Sequence, residues 1–233
     1  MIRRSGAVAL LVLPLLATSS TAALAKKSVT VNVRVEGVHK TLFEGDVKTT
    51  VHKVNGHDGT GAHKCDGTNN GASSTPGPTV TGGFDDGAKL ARVTWGGSWS
   101  ASFEDFLINR VGSDSSTSSK FWSLELNDQD LSVGGCQQKV KPHDRVLVAF
   151  DGFGRKLLEL SGPKTARVGK SFQLTVVDGR SGQPVKGAKV RHRKTDKHGR
   201  VRLTLKRPGL AQLKARKFGT IRSNELDVQV HAH

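Results

Sequence analysis

The stretch HKVNGHDGTGAHKC, residues 52 to 65, sets His52, His57, His63 and Cys65 within fourteen positions. These are residue types that ligate zinc. A structural zinc site needs about four ligands, paired at short regular spacings such as Cys-x2–4-Cys or His-x3–5-His. The gaps here are four, five and one residues, and the segment is rich in glycine, so nothing local fixes the imidazoles. Cys65 also has another partner. The chain holds two cysteines, Cys65 and Cys136, and a pair in an exported chain reads as a disulfide. A bonded sulfur cannot ligate as a thiolate. The expectation is a polar loop pinned by Cys65–Cys136, with no metal and no cofactor.

Other chemistry is sparse. There is no Gly-x-Ser-x-Gly elbow, no phosphate-binding glycine loop and no dinucleotide fingerprint. Glu104 and Asp105 are adjacent, so on a strand they point to opposite faces and cannot act as a pair. Asn127-Asp128-Gln129-Asp130 has some calcium-loop character. It lacks the glycine at position six and the glutamate at position twelve, and reads as a turn. Trp95, Trp99 and Trp122 suit either a core or a sugar-stacking platform, and the core reading fits better in a chain without tyrosine. These patterns lead us to expect a protein that is not an enzyme.

The elements around these residues are strands. Val29, Val31, Val33 and Val35 alternate with polar residues, as do Phe172, Leu174 and Val176, Val201, Leu203 and Leu205, and Leu226, Val228 and Val230. Period two with β-branched residues means half-buried strands. Val146–Phe150 is almost continuously apolar, as in a strand buried on both faces. One short helix is expected at 84–91, with Asp85 and Asp86 in its first turn favouring the positive end of the dipole. Residues 55–83 read as a long polar loop.

Residues 1–25 read as an export signal. Arg3 and Arg4 precede the apolar run 7–17, and Ala23-Leu24-Ala25 is a small-x-small site, so cleavage is expected after Ala25. No later apolar run has spanning length, which takes about 20 residues. The expected location is extracellular, either free or associated with the cell surface.

Charge then divides the rest. Residues 26–154 carry 14 Lys plus Arg against 15 Asp plus Glu, a net −1, whereas 155–233 carry 20 against 5, a net +15. The expected organisation is a domain at 26–154, a Gly- and Pro-bracketed linker at 155–162, and a basic domain at 163–233. Within the latter, Lys189, Arg191 and Arg193 would share one face of a strand at 189–193. Arg200, Arg202 and Lys206 would share the outer face of the next strand, with Lys194 and Lys197 between the two. Together these eight residues form a candidate face for polyanions. The basic half has two aromatics, Phe172 and Phe218, and no nucleic-acid motif, so sequence-specific nucleic-acid recognition is not expected.

Residues 28–151 resemble the transcobalamin-like C-terminal domain family. The stretches that carry the resemblance are SVTVNVRVEG, TLFEGDV, FEDFLINRVGSD, FWSLELNDQ and VGGCQQKVKPHDRVLVAF. It implies a small α+β domain of β-grasp-like character, with 103–111 a strand. Residues 163–230 are similar to bacterial immunoglobulin-like or transthyretin-like surface domains through VGKSFQLTVVD, GQPVKGAKV, TDKHGRVRLTL, PGLAQLKA and RSNELDVQV. In the vitamin carriers the ligand lies between this kind of domain and a helical barrel, which this sequence does not contain, so the resemblance assigns no cobalamin contacts. The fold expected is mainly β with minor α: a β-grasp-like α+β domain followed by an immunoglobulin-like β-sandwich. The function expected is an exported binding or structural protein of the cell envelope, held by its basic domain to anionic polymers or glycans. The alternative is a small-ligand (cobalamin-like) carrier, or an enzyme, working through the N-terminal domain.

Overall fold

The computed structural model describes residues 28–232. The expected signal segment and its cleavage point after Ala25 lie outside the described residues. The fold is mainly β with one α-helix among the described residues. The first half contains β1 (Val29–Glu36), β2 (Thr41–Thr49), β3 (His52–Asn55), β4 (Ala62–Cys65), α1 (Val80–Leu90), β5 (Trp95–Ser100), β6 (Asp105–Val111), β7 (Asp114–Ser115), β8 (Trp122–Leu126), β9 (Gln129–Asp130) and β10 (Arg145–Phe150). The second contains β11 (Lys156–Ser161), β12 (Thr165–Arg167), β13 (Ser171–Asp178), β14 (Lys189–Val190), β15 (Arg193–Lys194), β16 (Arg200–Thr204), β17 (Gly209–Leu213), β18 (Ala215–Arg216), β19 (Thr220–Ile221) and β20 (Leu226–His231).

A five-stranded sheet in the order β2-β1-β10-β8-β9 organises the first half, with β1 and β10 parallel at its centre. The odd-numbered valines of β1 face α1, and Val31, Val33, Phe84, Trp95, Trp122 and Val148 meet in one core. The helix begins earlier than its composition suggests. Thr79 caps it by accepting the Gly82 N–H at 3.1 Å, a contact typically worth about 1 kcal/mol. Asp85 and Asp86 therefore lie mid-helix, and the dipole role expected of them does not apply. Glycine is a weak helix former, by about 1 kcal/mol relative to alanine. Here its missing side chain lets the helix lie close to the sheet. A Cβ at Gly87 would stand 3.1 Å from Val33 and 3.2 Å from Phe43.

The second half has its own core, including Leu158, Leu174, Val176, Val190, Leu213 and Val228. Sheets β16-β13-β11-β19, β12-β20-β17 and β15-β14-β18 enclose it. Residues expected to be a linker are largely β11, with Leu157, Leu158 and Leu160 buried. Gly154 and Gly162-Pro163 bracket a strand rather than a tether. The polar loop at 55–83 is also shorter than expected, because β4 pairs with β3 and the helix takes its last residues.

The two halves meet through the other face of the five-stranded sheet. Leu147 and Ala149 pack against Leu157 and Ile221. Around that apolar seam the contact is ionic. Glu36 receives Lys214 at 2.8 Å and Arg222 at 2.7 Å, Glu44 receives Lys214 at 2.7 Å, and Glu125 receives Arg180 at 2.7 Å. Glu36 is 2% exposed and Glu125 0%. Burial pushes the Glu125 carboxyl above its ordinary value against the pull of the Arg180 guanidinium.

A candidate anion-binding groove

The zinc-like cluster of the sequence comes apart in space. Cys65 and Cys136 are bonded, with Cα atoms 4.5 Å apart. His63 stacks on Trp99 with ring centroids 4.1 Å apart, and His57 sits exposed on the β3–β4 turn. His52 meets the helix instead, with Nε2 3.3 Å from Asp85 and 3.6 Å from Asp86. Asp85 also accepts from Lys89 and from the Trp95 indole N–H, so this group is an ion-pair knot that fastens β3 to α1. Of the tryptophans, Trp95 and Trp122 are core residues and Trp99 is half-buried. Asn127 and Asp128 form the β8–β9 turn, and Asp128 pairs with Arg145.

Three groups, His52, Asp105 and Asp85, give the fold a pH dependence. The hydrogen bond to Asp85 raises the His52 pKa above 6.5, against burial and with help from the Thr50 carbonyl and Asp86. Its stabilising contribution is complete below 6.5 and fades as the pH rises through the raised value. Burial raises Asp105 from 3.8 to about 6, although the N–H groups of Phe106 and Cys136 pull it down. Ionising it costs the fold up to about 3 kcal/mol, and that cost is relieved as the pH falls from about 6 towards 4. Asp85 acts oppositely. Burial would raise its pKa, but hydrogen bonds from His52, Lys89 and Trp95 bring it below 3.8, so its contribution is lost only in stronger acid. We expect a higher thermal midpoint at pH 5 than at pH 7.5, with Asp105→Asn removing much of the difference. A midpoint that rises from pH 5 to 7.5 contradicts this.

The basic residues tell a different story from the one their spacing suggests. Residues 189–193 are not one strand. Arg191 has φ +51° and turns the chain, so β14 and β15 form a hairpin that sets Lys189 opposite Lys194. Lys206 lies beyond the end of β16. The eight residues therefore do not share one flat face. Lys189 and Lys194 line a groove of about 720 Å³ between the halves. Arg193, Lys194, Arg200 and Arg202 line a second hollow of about 260 Å³ with Gln173 and Asp196. Arg191 and Lys206 belong to a third, beside His192 and Arg207. Lys197 lines none of these three.

The first groove gathers residues that the sequence reading missed. Lys120 and Arg155 lie on one side, both paired with Asp151. Arg216 and Lys217 lie on the other, followed by Phe218, whose ring is fully exposed. The run Lys214-Ala-Arg-Lys-Phe-Gly was the available signal, a cationic stretch ending in an aromatic at a turn. Its meaning depends on β18 pairing with β14, a contact made across 26 residues of sequence.

Of the twenty basic residues from Arg155 onward, four have a carboxylate within 4 Å among the described residues: Arg155, Arg180, Lys214 and Arg222. All four reach acids of the first half. The other sixteen have no such carboxylate among the described residues.

No protein-family model matches the chain, and no curated protein matches it in sequence. Among solved structures it is similar to haptocorrin, crystallised in complex with Cbi, with a TM-score of 0.37 and 12% identity over 54% of this chain. That match covers 25% of the haptocorrin chain, so this chain spans about a quarter of it. No helix among the described residues is long and apolar enough to cross a membrane.

Proposed function

We propose that this is an exported, non-enzymatic protein that attaches to anionic polymers of the cell envelope through the groove and neighbouring cations of its second half. The observation that carries this reading is the unequal use of charge. Arg180, Lys214 and Arg222 fasten the halves together, Arg155 pairs with Asp151 four residues before it, and sixteen have no carboxylate within 4 Å among the described residues. An uncompensated positive field of this kind draws in polyanions and is screened by salt. Export through residues 1–25, membership of residues 28–151 in the transcobalamin-like C-terminal domain family, and an immunoglobulin-like sandwich that includes β11 belong to the same proposal. The disulfide suits an oxidising compartment.

The test is co-sedimentation of the full chain with purified cell walls across a salt series. Retention at low salt and release at high salt support attachment. A chain that stays in solution at every salt concentration overturns it and leaves the small-ligand carrier as the reading to pursue.

A further inference from the structure

Strand register places three of the groove's cations in a line. Lys189 is opposite Lys194 on one side and Arg216 on the other, all three are exposed, and all three line the groove. Neighbouring strands lie about 4.8 Å apart, so the row Lys194–Lys189–Arg216 roots three cationic side chains about 5 Å from one another. None has a carboxylate within 4 Å among the described residues, where Lys120 and Arg155 share Asp151. Like charges directly opposite one another destabilise a sheet. The opposite sides of β14 and β18 gain from burial of Val190 and Ala215, but no feature of the core requires cations on the outer side.

Beside this row stands Phe218, fully exposed on the turn between β18 and β19. A phenylalanine there adds nothing to packing within the chain and offers an apolar face to whatever enters the groove. The groove's size is within the usual range for ligand sites, about 300–1,000 Å³. Its concave shape admits an extended chain better than a flat bilayer.

We infer that the groove takes a phosphodiester-linked polymer of polyols or sugars, with successive phosphates on Lys194, Lys189 and Arg216 and the intervening carbon unit against Phe218. The row requires a charge on every repeat unit, which a phosphodiester chain supplies. A glycan bearing one carboxylate on every second sugar leaves a rung of the row unmatched. The Arg216 guanidinium can fork onto one phosphate. This rests on the attachment reading above and narrows its partner to one chemistry.

The experiment is titration of the full chain with a short oligo(glycerol phosphate), a carboxylate glycan matched in total charge, inorganic polyphosphate, and vesicles of anionic phospholipid. The oligo(glycerol phosphate) is expected to bind about ten-fold more tightly than the carboxylate glycan, with affinity falling steeply as salt rises. Lys189→Gln should lower the slope of log affinity against log salt by about 1. Phe218→Ser should weaken the oligo(glycerol phosphate) about five-fold and leave inorganic polyphosphate unchanged. Both substitutions fall on exposed side chains, so folding is preserved. Equal binding of the two charge-matched polymers overturns the inference while attachment to polyanions stands. So does a Phe218→Ser variant that binds oligo(glycerol phosphate) as the parent does, or binding to vesicles alone. If none of the four probes binds, the attachment reading fails as well.

Discussion

Replacing Cys65 and Cys136 together with alanine is expected to lower stability by about 4 kcal/mol, and the thermal midpoint by about 10 °C for a chain of this size. The bond closes a loop spanning 71 positions, so its loss greatly enlarges the freedom of the unfolded chain. The native side loses as well. The bond joins β4 to segment 134–140, and that segment supports the start of the helix: Thr81 donates its N–H to the Gly135 carbonyl, and Val80 donates to Gln138. The Cys136 N–H also donates to the buried Asp105 carboxylate, at 3.1 Å to one oxygen and 3.2 Å to the other. Without the bond, that carboxylate is less well held. Midpoints within about 2 °C of each other, measured by calorimetry under identical conditions, would mean that the surrounding hydrogen bonds hold this region without the bond.

Arg222→Met is expected to cost about 3 kcal/mol, the scale seen when one partner of a buried ion pair is removed. Arg222 is half-buried and donates to Glu36 at 2.7 Å, to the Lys40 carbonyl at 2.9 Å and to the Gly37 carbonyl. Its removal leaves Glu36, 2% exposed, with Lys214, Thr41 and a distant Arg34. Loss of one partner is worse than loss of both, because the survivor is a buried charge without its full set of donors. Glu36→Met combined with Arg222→Met should therefore cost clearly less than the sum of the single changes, and chemical denaturation of the four variants measures this. Arg222→Lys should recover only part of the loss, since an ammonium cannot reach the acid and two carbonyls in one fork. Additive single and double effects would show that Arg222 acts independently of Glu36.

How much of this could be read from the sequence follows from how local each feature is. The alternation in β1 and the apolar run of β10 carried their own pattern, and two cysteines left one pairing. The start of the helix was hidden because Gly82 and Gly83 read as loop. Their value lies in letting the backbone approach Val31 and Thr49, which is a tertiary fact. β11 was hidden because the glycines around it resemble the ends of a linker, while its burial depends on β13 and β19. The interface was the least legible. Arg34 and Glu36 look like the solvent side of an alternating strand, and only the arrival of Lys214 and Arg222 turns that side into a buried ionic seam. The candidate site fails for the same reason. Residue types pointed to the second half of the chain and to positive charge. Two facts decided the arrangement: a positive φ at Arg191 and the pairing of Lys189 with Arg216.

The division of charge also bears on how attachment should be tested. Truncation near residue 162 would remove β11's partner strands and expose Glu36 and Glu125, so loss of binding by such a fragment would be ambiguous. Substitution of exposed cations in the full chain avoids this.

The most direct measurement compares two full-length variants of equal net charge in cell-wall co-sedimentation at low salt. One carries Lys189→Glu, Lys194→Glu and Arg216→Glu in the groove. The other carries Lys164→Glu, Arg167→Glu and Lys170→Glu, three exposed positions away from it. The groove variant should stay in solution while its counterpart sediments nearly as the parent chain does. Equal loss from both variants would contradict a localised site and show that net charge alone holds the protein to the wall.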